Sequence, residues 1–222
     1  MKLYGIIGSG GFGREVMPLA KTMIKKLNHL ENYKLVFVTE EKNTPYINDY
    51  EVYSIDEFLN HPAPHKYFNI AIANFQNRKR LAELMIQENV KPFRINAANF
   101  IELDNNFIED SAIFCPFTTV TSNTKIGKFF HANIYSYIAH DCIIGDYVTF
   151  APNVHCNGNI LIEDYAYIGT GAFIREGTPD NPIIIGKGAI IGMGAVVTKS
   201  VPPETTVIGN PAKPLLRKST MA

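Results

Sequence analysis

The chain has 222 residues, 46% of them hydrophobic, and its 21 basic and 21 acidic side chains leave no net charge. That length holds one large domain or two modest ones around a substantial core. No stretch is dense enough in Lys and Arg to act as a phosphate-backbone stripe, so nucleic acid is not an expected partner. The amino-terminal run Met1–Gly8 is too short for a signal peptide, and nowhere do roughly eighteen uncharged apolar residues occur together, so a soluble, cytoplasmic protein with no membrane partner is expected.

In chain order, Leu3–Ile7 reads as a strand, Phe12–Lys26 as a helix and Lys34–Val38 as a second strand. Ser54-Ile55-Asp56-Glu57 is a helix start, because a serine followed by acids caps exposed amides. Phe68–Ala73 and Arg78–Gln87 supply a further strand and helix. This βαβ rhythm predicts a small parallel sheet flanked by helices over residues 1–97. Between the first strand and helix, Gly8-Ser9-Gly10-Gly11-Phe12-Gly13 matches GxGxxG, whose amides can hold a diphosphate at the helix start. Two other readings are open: tight strand-to-helix packing, and a nicotinamide site, for which a domain of this size is short.

After Asn99 the period becomes six. Ile108, Phe114, Val120, Ile126, Ala132, Ile138, Ile144, Phe150, Cys156, Ile162, Ile168 and Ile174 are all apolar at one phase, and mostly small or apolar residues follow each by four. One large and one small inward position per six residues describes a short strand plus a corner, with three such units closing one coil of a parallel β-helix. Residues eighteen apart then lie one above another at the strand spacing of about 4.8 Å. Residues 98–222 are assigned to this domain and its tail. Gly177–Pro182 interrupts the count as an external loop, the period returns at Ile185, Ile191 and Val197, and Val201-Pro202-Pro203 ends it. Stacked coils leave edges that such arrays cover by association.

Three residues stand out on the coils. His140 is outward-facing and followed by Asp141; an imidazole with a pKa of about 6.5 suits proton abstraction near neutrality, although a plain surface histidine is the alternative. Gly158, eighteen residues on, sits above it as a close-approach glycine or a turn glycine. Asn133 is either a substrate contact or part of an asparagine ladder. Of the cysteines, Cys142 and Cys156 are at inward phases and Cys115 at an outward one. Their odd number and lack of CxxC spacing argue against disulfides and zinc, and none has a base placed to make it a nucleophile. His131, His140 and His155 fall at three phases, so one chain does not converge them on a metal.

The hexads Ile144–Thr149, Ile168–Phe173 and Ile191–Val196 and the tail Val197–Pro202 with Val207–Lys213 resemble the left-handed β-helix acyltransferases. With Gly8–Glu15 and His140–Asp146, the chain is similar to the sugar acyltransferases of the sialic acid O-acetyltransferase and bacillosamine-pathway N-acetyltransferase group. The resemblance implies a small Rossmann-like α/β domain followed by a left-handed parallel β-helix, acetyl-CoA as co-substrate, no metal, and a homotrimer with active sites between subunits. It implies that His140 is the general base, oriented by Asp141, and that the Gly158 amide supports the oxyanion. A nucleotide-linked amino sugar would be met by Gly8, Ser9, Gly10, Gly11, Gly13, Glu40, Asn74, Arg78 and Asn133, with Glu40 and Glu41 where relatives carry aspartates. Arg78 is otherwise a solvated helix charge. Acetyl-CoA would be met by Gly158, Gly171, Gly194 and Lys213, with the loop around Pro179 walling its channel. Thr149 stands where some relatives carry a second histidine. The expected reaction is direct transfer to the amino group of a UDP-, dTDP- or GDP-linked 4-amino-deoxy sugar; sialic acid O-acetylation, zinc chemistry on the same scaffold and a non-catalytic sugar-nucleotide-binding protein are the alternatives.

Overall fold

A computed structural model describes residues 1–27 and 32–215; the last residues of the expected tail, 216–222, lie outside them. The described chain forms two compact units, Met1–Phe100 with Glu109–Cys115, and Ile101–Ile108 with the chain from Pro116 onward. No described helix is long and apolar enough to cross a membrane.

The first unit runs β1 (Lys2–Ile7), α1 (Gly11–Leu27), β2 (Tyr33–Thr39), β3 (Tyr46–Ile47), β4 (Tyr50–Ser54), α2 (Ile55–Leu59), β5 (His65–Ile70), α3 (Phe75–Gln87) and β6 (Lys91–Pro92). The strand order is β3-β4-β2-β1-β5-β6, with β1 parallel to both neighbours. The chain therefore leaves β1 first toward β2 and later returns to its other side at β5. This reversal opens a crevice beyond the carboxyl end of β1, where α/β sheets bind ligands. Helix α1 buries Val16, Met17, Ala20 and Ile24, spaced at helical period, against Ile6 and Phe37. Ser54 caps α2 in a full capping box with Glu57, as its sequence indicates.

Two local features depart from the sequence expectation. Asn48 and Asp49, with φ of 45° and 65°, turn β3 into β4 as a tight hairpin; both residue types tolerate the left-handed region that such turns demand. The strand expected over Phe68–Ala73 ends at Ile70; the Ala71 amide still donates to the Ile7 oxygen at 2.8 Å, and the chain then packs on the glycine loop, where a Cβ on Gly8 would meet Ile72 Cγ1 at 2.7 Å and the Ala71 oxygen at 3.1 Å. Gly13 is tighter still, since a Cβ there would lie 2.0 Å from the Gly8 oxygen. Gly13→Ala is expected to destabilise the first unit by about 2 kcal/mol through overpacking, read as a lower urea midpoint.

In the second unit the strands stack in parallel at intervals of eighteen residues up to the insertion, as in Thr119–Val120 on Tyr137–Ile138 and Lys125–Ile126 on Ile143–Ile144. The large inward residues Val120, Ile126, Ile138, Ile144, Phe150, Ile162, Ile168 and Ile174 are buried, as are the small ones four residues after each hexad position, including Thr124, Ser136 and Cys142. These small polar groups are satisfied by corner carbonyls: Thr124 Oγ1 donates to Ala139, Ser136 Oγ to Ala151 and Cys142 Sγ to Asn157.

Most corners take one residue in the left-handed region, and Phe117, Phe129, Tyr135, Tyr147 and Tyr165 do so without being glycine. That conformation costs about 1–2 kcal/mol per residue. Stacking of Phe117 on Tyr135 (5.1 Å, 3°) and Phe129 on Tyr147 (5.4 Å, 12°) offsets a comparable amount.

The six-residue cadence starts before Ile108: strands Ile95–Asn96 and Ile101–Glu102 keep the same spacing. Asn96 and Glu102 hold the phase that is apolar from Ile108 onward, which hides these first strands from an apolar count.

Candidate active site

His140, Gly158 and Glu176 occupy one column on three successive coils, each two residues past an inward position. Asp141 is the left-handed corner residue next to His140 (φ 58°); aspartate tolerates that conformation, and the turn swings its carboxylate back to the ring. His140 Nδ1 lies 2.8 Å from Asp141 Oδ2. A carboxylate only accepts, so Nδ1 carries the proton and, in the neutral ring, Nε2 is left with its lone pair.

Above the ring, Gly158 has no room for a side chain: a Cβ would fall 2.5 Å from His140 Cε1 and 2.6 Å from Nε2. The imidazole thus rests on bare backbone. Gly158 is buried there, and its amide has no acceptor among the described residues, unusual for a buried donor. Asn157 holds this corner: it accepts from Tyr137 Oη at 2.6 Å and donates to the Ile174 carbonyl at 2.8 Å.

Glu176 Oε1 stands 3.5 Å from His140 Nε2, with both side chains about half exposed. Its backbone is fixed on either side, since Arg175 N donates to the Val197 oxygen and Gly177 N to the Gly158 oxygen. Sequence reasoning missed Glu176. The signal was available, because residue 176 is one more step of eighteen from Gly158; the insertion that starts at Gly177 drew attention away from it. Beside it a cleft of about 350 Å³ is lined by Arg175, Glu176, Thr178, Thr198 and Lys199, among others. Two cations and two hydroxyls suit an anionic ligand group.

The other expected residues fall as follows. Asn133 Oδ1 accepts from the Ile134 amide at 2.7 Å, and the position one coil on is Ala151, so no asparagine ladder forms. His155 stacks on Phe173 (4.2 Å, 15°) and meets Tyr137 edge-on. Thr149 is buried. Gly171 and Gly194 are left-handed corner residues with open space outside them, and Lys213 is exposed near the end of the described chain.

In the first unit, Gly8 (φ +99°) turns the chain out of β1, and nothing lies within 4 Å of a Cβ at Gly10 or Gly11. The first-turn amides of α1, which begins at Gly11, have no intrahelical acceptor. Glu40, just past β2, receives Arg80 Nη2 on both carboxylate oxygens at 2.8 and 2.7 Å. Asn74 caps α3 by accepting from the Asn77 amide. Arg78 corrects one expectation: it is fully buried, not a solvated charge, and its Nη1 donates to the Ile72 carbonyl at 2.9 Å, bracing the loop that packs on Gly8.

Cys115 corrects another, being buried in the core of the first unit instead of outward; burial pushes its thiol up to about 12, which removes it as a nucleophile at neutral pH. The Cys156 thiol is likewise raised, by its contact with Cys142 and by burial.

Comparison with known proteins adds to this geometry. The family described as the PglD N-terminal domain matches residues 5–85, and the bacterial transferase hexapeptide (six repeats) matches residues 123–158. The chain is 52% identical over 220 residues to a GDP-perosamine N-acetyltransferase of Escherichia coli O157:H7, covering 99% of each. Among solved structures it is similar to WeeI from Acinetobacter baumannii AYE, at 52% identity and a TM-score of 0.91 over 97% of this chain and 100% of that one. It is also similar to the acetyltransferase domain of PglB from Neisseria gonorrhoeae FA1090 in complex with acetyl coenzyme A, at 26% identity and a TM-score of 0.84 over 96% and 98% of the two chains.

Proposed function

Because the chain belongs to the hexapeptide-repeat sugar acyltransferases and is an acetyl-CoA-dependent sugar N-acetyltransferase on a left-handed β-helix, we propose that it moves acetyl directly from acetyl-CoA to the amino group of a nucleotide-linked amino sugar. The observation that carries this reading is the His140–Asp141 pair resting on Gly158, a base whose Nε2 keeps its lone pair in the neutral ring, beside an unused amide. GDP-perosamine is the first acceptor to consider, since a relative 52% identical over 99% of its length is named for it.

The amine attacks the thioester carbonyl, His140 Nε2 takes its proton, and the Gly158 amide donates to the oxyanion. Asp141 fixes the tautomer and supports the imidazolium. In the first unit, Gly8, Ser9 and Gly10 form the turn that brings the diphosphate to the amides of Gly11 and Gly13 at the start of α1. Glu40, steadied by Arg80, and Asn74 face the nucleoside side of the same edge, with Arg78 supporting the loop from beneath. Asn133 contacts the sugar. Gly158, Gly171 and Gly194 leave a smooth path for pantetheine, and Arg175, Lys199 and Lys213 suit the phosphates of the coenzyme. Exposed apolar side chains on the coil faces, among them Phe107, Ile143, Phe173 and Ile190, support assembly with further copies of the chain, which we take to be a homotrimer.

A ternary complex predicts intersecting lines in initial-rate plots with both substrates varied, whereas a covalent acetyl-enzyme gives parallel lines and would exclude direct transfer. Asp141→Asn is expected to lower kcat about 10-fold with little change in either KM, by loosening the ring and its tautomer. An unchanged kcat would remove Asp141 from the mechanism.

A further inference from the structure

We propose that Glu176 reads the charge of the acceptor: its carboxylate and His140 Nε2 together hold the acceptor as an ammonium, which makes the site select an amine over a hydroxyl at the same position. This rests on the N-acetyltransferase reading and deepens it.

With Nδ1–H donated to Asp141, the neutral ring turns its lone pair toward Glu176 Oε1 at 3.5 Å. Two acceptors then face one another, an arrangement that calls for a donor between or beside them. An alkylammonium, the form of a sugar amine near neutrality, carries three N–H groups and satisfies both at once. A hydroxyl has one proton; it satisfies one acceptor and leaves the other unpaired, and a site built this way rejects the poorer donor. The hydrogen bonds of Arg175 N and Gly177 N keep the Glu176 backbone in the coil ladder, so the carboxylate is presented from a fixed point although the side chain reaches solvent.

The proton balance accommodates such an arrangement. R–NH3⁺ and an acetyl thioester give R–NH–acetyl, a thiol and one free proton. The ammonium releases its first proton to solvent on the exposed Glu176 side. The nitrogen lone pair then attacks, the C–N bond forms, and Nε2 takes the second proton. As the C–S bond breaks, that proton passes from Nε2 to the departing sulfur. Glu176 holds the charged acceptor, and His140 handles the proton that moves during bond formation.

The test is Glu176→Gln, which keeps the shape and removes the charge. Equilibrium binding is measured for a nucleotide-linked 4-amino sugar that the wild type acetylates and for the same nucleotide sugar bearing a hydroxyl in place of the amine. The wild type should bind the amine about 10- to 100-fold tighter than the hydroxyl compound. Glutamine should abolish that preference by weakening only the amine, and Glu176→Asp should restore part of it. Equal weakening of both ligands, or an intact preference in the glutamine variant, would overturn the proposal while leaving the acetyltransferase reading standing. A wild type that acetylates no nucleotide-linked amine would overturn that parent reading and this inference with it.

Discussion

His140→Ala lowers kcat for acetyl transfer by about three orders of magnitude and leaves the KM values within a few-fold of wild type: that is the result expected if His140 is the general base. The ring sits about half exposed on a corner, so its removal opens no core cavity and the variant should melt with the wild type. Loss of rate with an unchanged melting temperature separates chemistry from folding. His140→Asn should be as slow, because it keeps bulk and polarity but not the proton acceptor. Retention of more than a tenth of wild-type kcat in either variant would remove His140 from the chemical step.

Gly158→Ala should cost about 100-fold in kcat, for a different reason. No left-handed φ is involved at this glycine, so the backbone accepts alanine. The new methyl would lie 2.5 Å from Cε1 and 2.6 Å from Nε2 of His140, against ordinary carbon contacts of about 3.5–4 Å. The ring must therefore move by about 1 Å, and displacements of that size at a reacting group cost about two orders of magnitude. Because His140 is free to swing toward solvent, stability should barely change. Full activity in Gly158→Ala would mean that the ring works in some position other than the one it occupies over the glycine.

Much of this architecture is legible in the sequence, because a β-helix repeats one physical requirement every six residues. Ile108 to Ile174 announce it by an unbroken apolar phase, and the same count puts Gly158 over His140. The count fails where function or topology replaces apolar side chains. Asn96 and Glu102 start the cadence with polar residues at the apolar phase; Glu176 lies within reach of the count, one step of eighteen past Gly158, but next to the loop that interrupts it. Other misses come from packing that no local pattern encodes. Arg78 reads as a nucleotide-site residue or else a helix surface charge, and its burial escapes both readings because it depends on the carbonyls of Ile72 and Ala73. Cys115 reads as outward because it serves the core of the first unit, not the inside of a coil. The β3–β4 hairpin was signalled only by the pair Asn48-Asp49. Side-chain distances, such as those around His140, arise from the stacking of distant residues and become visible only in the folded chain.

The most direct test of the central claim is CoA thiol release by the 222-residue chain from acetyl-CoA in the presence of GDP-perosamine, UDP- and dTDP-linked 4-amino sugars, and free sialic acid. The account predicts turnover with a nucleotide-linked amine, yielding the N-acetylated sugar and collapsing in His140→Ala. Release only with sialic acid, or none with any nucleotide-linked amine, would contradict it.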